Sequence, residues 1–304
     1  MHYRTLGRTG LQVSDVGFGA MTIGGEIFGT TDDQESLRAL HRALDLGMNF
    51  IDTADAYGRG HSEELLAQVL KTRRKEVVLA TKGGNQFTVR QGLRNFEPDY
   101  ITSALENSLK RLQIETIDLY QLHNPSPEVM KKGEIFERLD RCKREGKIRY
   151  YGVSLEKTTD GIVVYNILHQ DPEEQLLPLA QKENIGILAR VPLERGILSG
   201  RFKATNEFYQ KDWRAGVFSE DGLRQVQAAV DKLDFLVKGD VPNLAQAALR
   251  FILSHPAVST VIPGIRTVKQ VEDNLMISGK TLPSEDVTHL RTLYRNEFCQ
   301  IPLH

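Results

Sequence analysis

Apolar positions in this chain follow two alternating rhythms. Short, nearly continuous apolar runs rich in Val and Ile end in a single polar residue, and between them lie stretches whose apolar residues recur three and four apart. The first pattern suits strands buried on both faces, the second amphipathic helices. Tyr3 to Val13 reads as a hairpin turning at Gly7-Arg8-Thr9-Gly10. Strands are predicted at Val16–Gly19, Asn49–Asp52, Val77–Lys82, Ile117–His123, Ile148–Ser154, Ile162–Leu168, Ile185–Val191 and Val258–Pro263. The first helix is capped by Asp32-Asp33 and presents Leu37, Leu40 and Leu44 on one face. Further helices are predicted at Ser62–Leu70, Asp99–Leu112, Pro127–Glu145, Pro172–Glu183, Leu223–Val237, Leu244–His255, Val268–Ile277 and Ser284–Tyr294. Gly47 and Gly146 suit left-handed helix caps.

Strands alternating with helices over this length form either a doubly wound sheet or a closed (β/α)8 barrel. A doubly wound dinucleotide fold would carry three spaced glycines between its first strand and helix. Here Gly17-Phe18-Gly19 is followed by Thr22 at the third place, and no helix begins at once. No phosphate-loop signature, internal repeat or linker interrupts the pattern. A single α/β domain over residues 1–304 with an N-terminal β-hairpin is therefore expected; the missing glycine weighs against the doubly wound form, and the (β/α)8 TIM barrel is the other architecture open to it.

Composition narrows the function classes. The 304 residues are 40% hydrophobic and 26% charged, with a net charge of -1. That balance supports a sizeable core and gives no electrostatic case for nucleic acid or an anionic membrane. The two cysteines, Cys142 and Cys299, have no metal-ligand spacing, which fits a reducing compartment. The opening MHYRTLGRTG has no apolar signal core. A soluble cytoplasmic protein without a metal is expected.

The chemistry lies at the strand exits. Asp52, Lys82 and His123 each end a different apolar strand, and Tyr57 lies in the short loop after Asp52. In a parallel barrel the strand C-termini converge on one face, so these residues can meet. A phenol with a pKa near 10 is a weak acid, and a nearby ammonium stabilises its phenolate. A carboxylate offsets burial of that ammonium, and a neutral imidazole can donate to a substrate oxygen. Together they suit proton donation to a carbonyl as hydride arrives, or removal of an alcohol proton in reverse.

The stretches FIDTADAYGRGHSEELLAQVL, VVLATKGG, IDLYQLHNPSP, GKIRYYGVS, PLERGILSGRF and VIPGIRTVKQVEDNL resemble, in order and over nearly the whole chain, the aldo-keto reductases. That resemblance implies a (β/α)8 barrel using NADPH/NADP, with two accessory helices near Leu223–Val237 and Ser284–Tyr294. It places the catalytic tetrad on Asp52, Tyr57, Lys82 and His123, with Tyr57 as general acid. It also implies cofactor contacts. Gly19, Ala20, Met21, Asp52 and Ser154 border the nicotinamide, and Leu193, Gly196, Ser199, Gly200 and Arg201 form a pyrophosphate strap. Gly264 and Arg266 lie at a helix start, where Arg266 suits a 2′-phosphate, and Gln270 and Asn274 follow on one face for adenine.

Three departures from the family pattern stand out. Leu155 replaces the Asn that often follows the GVS motif, and Arg190 replaces the aromatic that often stacks on nicotinamide. The largest is the crossover after Ser154. Residues 155–161 are too few for a parallel crossover, which takes at least about ten to twelve residues. One crossover helix is missing there, and so is the glutamine that usually grips the nicotinamide, whose place falls near Ile162. Of a degenerate crossover and residues absent from this sequence, the second is favoured. Gln86, Phe87, Asn124 and Trp213 are candidates for the substrate pocket, and Lys203–Ser219 for a lid. The reading that results is NADPH-dependent reduction of a small-molecule aldehyde or ketone. A polyol or sugar dehydrogenase and a cofactor-sensing regulatory subunit remain alternatives.

Overall fold

The structure, a computed structural model, describes residues 1–25, 31–86, 93–154, 164–200 and 220–301. Strands β1 (Tyr3–Thr5) and β2 (Gln12–Ser14) form the antiparallel hairpin. Strands β3 (Phe18–Gly19), β4 (Phe50–Asp52), β5 (Val78–Gly83), β6 (Ile117–His123) and β7 (Ile148–Ser154) then pair in chain order, every neighbour parallel. Strands β8 (Ile187–Ala189) and β9 (Val258–Val261) make a second parallel pair. Parallel bridges Val16–Val261 and Gly19–Gly264 join β9 back to the β3 segment, and Val164 bridges Arg190 just past β8. This succession of segments is that of a (β/α)8 barrel.

Helices α1 (Asp33–Asp45), α2 (His61–Arg73), α3 (Pro98–Leu112), α4 (Pro127–Lys132), α5 (Glu134–Arg144) and α6 (Leu176–Lys182) fill the connections, followed by α7 (Glu220–Asp231), α8 (Leu244–Leu253), α9 (Val268–Leu275) and α10 (Ser284–Asn296). Asp32 caps α1 as its position predicts, accepting from the backbone N–H of Gln34 and Glu35. The stretch read as one helix from Pro127 to Glu145 is two, because Gly133 stands between them at φ 80°. The strand predicted at Ile162–Leu168 is reduced, among the described residues, to the Val164 bridge. Asn166 Oδ1 accepts from the Leu168 N–H and starts a turn that closes at His169, ending the extended run. Residues 155–161, which carry the short crossover, lie outside the described residues, as do Ile162, Phe87, Arg201, Trp213 and the Lys203–Ser219 stretch.

The two-residue period of the strands stacks the barrel interior in layers. Phe50, Ala80 and Leu119 form the lower layer, covered from below by Leu6, Leu11 and Val13 of the hairpin. Burying an aliphatic or aromatic side chain of this kind contributes about 1.5–3 kcal/mol. Two residues further along the same strands, facing the same way, stand Asp52, Lys82 and Gln121. The inward face thus turns from apolar to polar and charged at the strand C-termini, where a parallel barrel opens to its loops. Among the described residues no helix is long and apolar enough to cross a membrane.

Candidate active site

Asp52, Lys82, Tyr57 and His123 meet at one place and are almost fully buried. Lys82 Nζ donates to Asp52 Oδ1 at 2.5 Å, to the Thr53 carbonyl at 2.8 Å and to Tyr57 Oη at 3.1 Å. Its three protons are thereby all placed. Gln121 Nε2 donates to the second Asp52 oxygen at 3.0 Å. The carboxylate is held from two strands and cannot swing away from the ammonium. Burial opposes the charge on Lys82, but Asp52 and then Tyr57 outweigh it and hold the lysine pKa above its ordinary value.

Tyr57 is carried by a tight loop whose glycine lets two backbones touch. Gly58 has φ 59°, and a Cβ there would strike the Gly24 carbonyl. His123 stands edge-on to Tyr57, with ring centroids 6.0 Å apart. Asn85 Nδ2, a donor, faces His123 Nδ1 at 2.8 Å, which puts the proton of a neutral ring on Nε2. Burial, then the positive charges of Lys82, Arg190 and Arg94, drives the imidazole pKa well below 6.5. His123 is therefore a neutral hydrogen-bond donor across the physiological range.

A second buried polar cluster lies behind the loop, between the strands and α2–α3. Glu63 accepts from Thr81 Oγ1 at 2.6 Å and from Arg111 Nε at 2.7 Å. Asp55, two residues before Tyr57, has one carboxyl oxygen buried without a hydrogen-bond partner. Burial, reinforced by the Glu63 charge, pushes its pKa up to about 8.

A cavity of about 1130 Å³ runs past the proton-transfer group, from Leu6, Arg8 and Thr9 of the hairpin and Leu119 of the lower layer to the barrel mouth. Its lining includes Asp52, Tyr57 and Lys82 together with Gly19, Met21, Ser154, Arg190, Leu193, Gly196, Ser199, Gly200, Gly264, Arg266, Gln270 and Asn274. Ala20 is fully buried, and its carbonyl accepts from Ser62 Oγ. At the start of α9 three backbone donors are already used: Arg266 N–H by Gln270 Oε1, Val268 N–H by Glu35 Oε1 and Gln270 N–H by Thr267 Oγ1. Arg266 and Lys269, both on the cavity wall, bring positive charge to this end. Gln86 and Asn124 lie in loops beside the barrel mouth and are not part of that wall.

Gln121, Asn85 and Asp55 were not singled out from the sequence. Gln121 carried a signal, since it lies two residues before His123 and so shares its strand face. Asn85 and Asp55 carried none, because their partners come from distant elements.

The chain matches the aldo/keto reductase family over residues 15–295. It is 35% identical to the aldo-keto reductase YhdN of Bacillus subtilis, covering 97% of this chain and 94% of that one. Among solved structures, the glycerol dehydrogenase AKR11B4 of Gluconobacter oxydans superimposes with a TM-score of 0.80 at 29% identity, covering 94% and 93% of the two chains. An aldo/keto reductase of Klebsiella pneumoniae, solved in complex with NADP and acetate, matches with a TM-score of 0.70 at 25% identity, covering 97% and 96%. This chain belongs to the aldo/keto reductase family.

Proposed function

We propose that this protein reduces the carbonyl group of a small aldehyde or ketone to an alcohol, using NADPH, with Tyr57 as proton donor. The observation that carries the reading is the bond from Lys82 to the Tyr57 hydroxyl on the wall of a cavity that also reaches Arg266. Residues around the cavity suit the nucleotide. Gly264 packs on Thr22, whose Cγ2 a Cβ would crowd at 2.8 Å, and it forms part of the cavity wall. Arg266 offers a planar fork to a 2′-phosphate, with Gln270 and Asn274 one and two helical turns on for the adenine. Met21, Ser154 and Arg190 border the inner part of the wall near Tyr57.

Bound NADPH supplies the hydride that the carbonyl carbon accepts. Tyr57 gives its phenolic proton to the carbonyl oxygen, and Lys82 stabilises the phenolate that remains. Asp52, fixed by Gln121, keeps the ammonium in place. His123 Nε2–H donates to the same oxygen and orients it. The near-complete burial of Asp52, Tyr57, Lys82 and His123 strengthens each of these interactions. In reverse, Tyr57 as phenolate removes the alcohol proton. The likeness to a protein named glycerol dehydrogenase supports a polyol as one such alcohol.

The test follows NADPH and NADH consumption by absorbance with a panel of aldehydes, ketones and sugars, and the reverse reaction with polyols. Consumption with NADPH preferred supports the proposal. Tight NADPH binding without turnover of any carbonyl or alcohol contradicts it and favours a cofactor-sensing role.

A further inference from the structure

The segment after β8 is strained. Val191 has φ 51°, Glu194 40°, Arg195 54° and Gly196 100°. Left-handed backbone is rare for any residue with a side chain and rarest for a β-branched one such as Val191. Such conformations persist only where surrounding groups over-determine them, and they gather at ligand sites. This segment supplies Leu193, Gly196, Ser199 and Gly200 to the cavity wall.

What holds it is a fully buried side chain from the neighbouring segment. Asn166 Nδ2 donates to the Val191 carbonyl at 3.0 Å and to Glu194 Oε2 at 2.9 Å. Its Oδ1 is fixed by the Leu168 N–H at 2.9 Å, so the amide has one available orientation. Glu194 is itself 0% exposed, and its other oxygen accepts from Arg195 Nη1 at 2.8 Å. Burying a carboxylate is costly unless it is paired and hydrogen-bonded. Here the cost is met by one amide and one guanidinium, both belonging to the strained loop or its anchor. None of these three residues takes part in the proton transfer.

We infer that Asn166 and Glu194 are positioning residues that hold the Val191–Gly200 segment, with Arg195 pinned on the cavity wall, in the shape that receives the diphosphate of the nucleotide. The inference rests on the proposed use of NADPH. It gives the loop's strain a purpose: a shape set before binding removes the ordering cost that a flexible loop would pay on binding. It also explains why an acid stands next to an expected anion site. Glu194 faces Asn166 and Arg195, and through them it fixes the cation and not the phosphate.

The experiment measures NADPH affinity by cofactor fluorescence in the full-length protein, alongside inhibition by adenosine 2′-monophosphate, which lacks the diphosphate. Asn166→Leu and Glu194→Ala are expected to weaken NADPH by about tenfold or more, the size of one lost hydrogen bond to a charged group. Adenosine 2′-monophosphate binds away from the loop, and its inhibition constant is expected to move less than about twofold. Glu194→Gln keeps an acceptor for Asn166 and is expected to restore most of the NADPH affinity. KM for NADPH rises in the two disruptive variants far more than KM for the carbonyl. Unchanged NADPH affinity in folded variants overturns the inference, and so does equal weakening of both nucleotides, which would mark a general structural role. If Asn166→Leu does not fold, the Glu194→Ala and Glu194→Gln pair carries the same comparison. Failure of the unmodified protein to bind NADPH would overturn the nucleotide reading itself, a result that these variants do not produce.

Discussion

Lys82 Nζ lies 3.1 Å from Tyr57 Oη, and the phenol is the acceptor in that bond. An ammonium has only hydrogens to give, so the phenolic proton is left free to point elsewhere. Replacing Lys82 by Met removes this arrangement and strands Asp52 as a buried carboxylate whose remaining side-chain partner is Gln121. Loss of one member of a buried pair costs about 3–5 kcal/mol. Because the folded pKa of Lys82 lies above its unfolded value, the pair's stabilisation is complete below about pH 10.4 and is lost only as pH rises through the folded value. At about pH 7 the pair is intact, so urea unfolding of Lys82→Met there should show that deficit; a variant as stable as the unaltered protein would contradict the pairing.

His123 gives the opposite pH sign. Its folded pKa is depressed by burial first and by Lys82, Arg190 and Arg94 after it. A group that folding keeps neutral contributes stability above its unfolded pKa, about 6.5, and loses it as pH falls toward the folded value. His123→Gln should flatten the acid side of the stability profile between about pH 6.5 and pH 5. Parallel profiles for the two proteins would show that the ring is not held neutral.

Asp55 is predicted to weaken the protein at alkaline pH. Its folded pKa, near 8, stands above that of the unfolded chain, so the folded state keeps a proton that the unfolded state has released. Stability then falls as pH rises from about 4 to about 8, and the penalty is complete beyond that. Asp55→Asn should unfold at higher urea than the unaltered protein at pH 9, and the advantage should shrink toward pH 4. An advantage independent of pH would point to packing and not to charge.

Arg266 is predicted to set nucleotide choice. Removing a guanidinium that pairs with a phosphate costs roughly 1.5–3 kcal/mol, or about ten- to a hundredfold in binding. Arg266→Gln should lower the ratio of NADPH to NADH affinity by that factor, measured by titration of both nucleotides. An unchanged ratio would assign the 2′-phosphate elsewhere, Lys269 being the next cation on the wall.

Much of this was legible in the chain itself, for a physical reason. Asp52, Lys82 and His123 each interrupt an apolar run at its end, and a parallel barrel brings run ends together, so one-dimensional position foretold three-dimensional meeting. Gln121 obeys the same two-residue period and was readable in principle. The helix expected from Pro127 to Glu145 failed at Gly133 because spacing of apolar residues does not report a left-handed residue between two helices. The strand expected over Ile162–Leu168 is cut short among the described residues, because Asn166 turns the chain with its own side chain, against the preference of its Val and Ile neighbours. Asp55 and the Asn166–Glu194 contact were invisible. Their character comes from burial against α2 and α3 in one case and from a strained loop after β8 in the other.

The account depends most on Tyr57 as the source of the proton. A positioned general acid is worth about 10²- to 10⁴-fold in rate. The decisive measurement is kcat of Tyr57→Phe at saturating NADPH on the best carbonyl substrate, with NADPH binding checked by titration. The account predicts that kcat falls by that range while the nucleotide still binds. A Tyr57→Phe protein that turns over at close to the unaltered rate would contradict it.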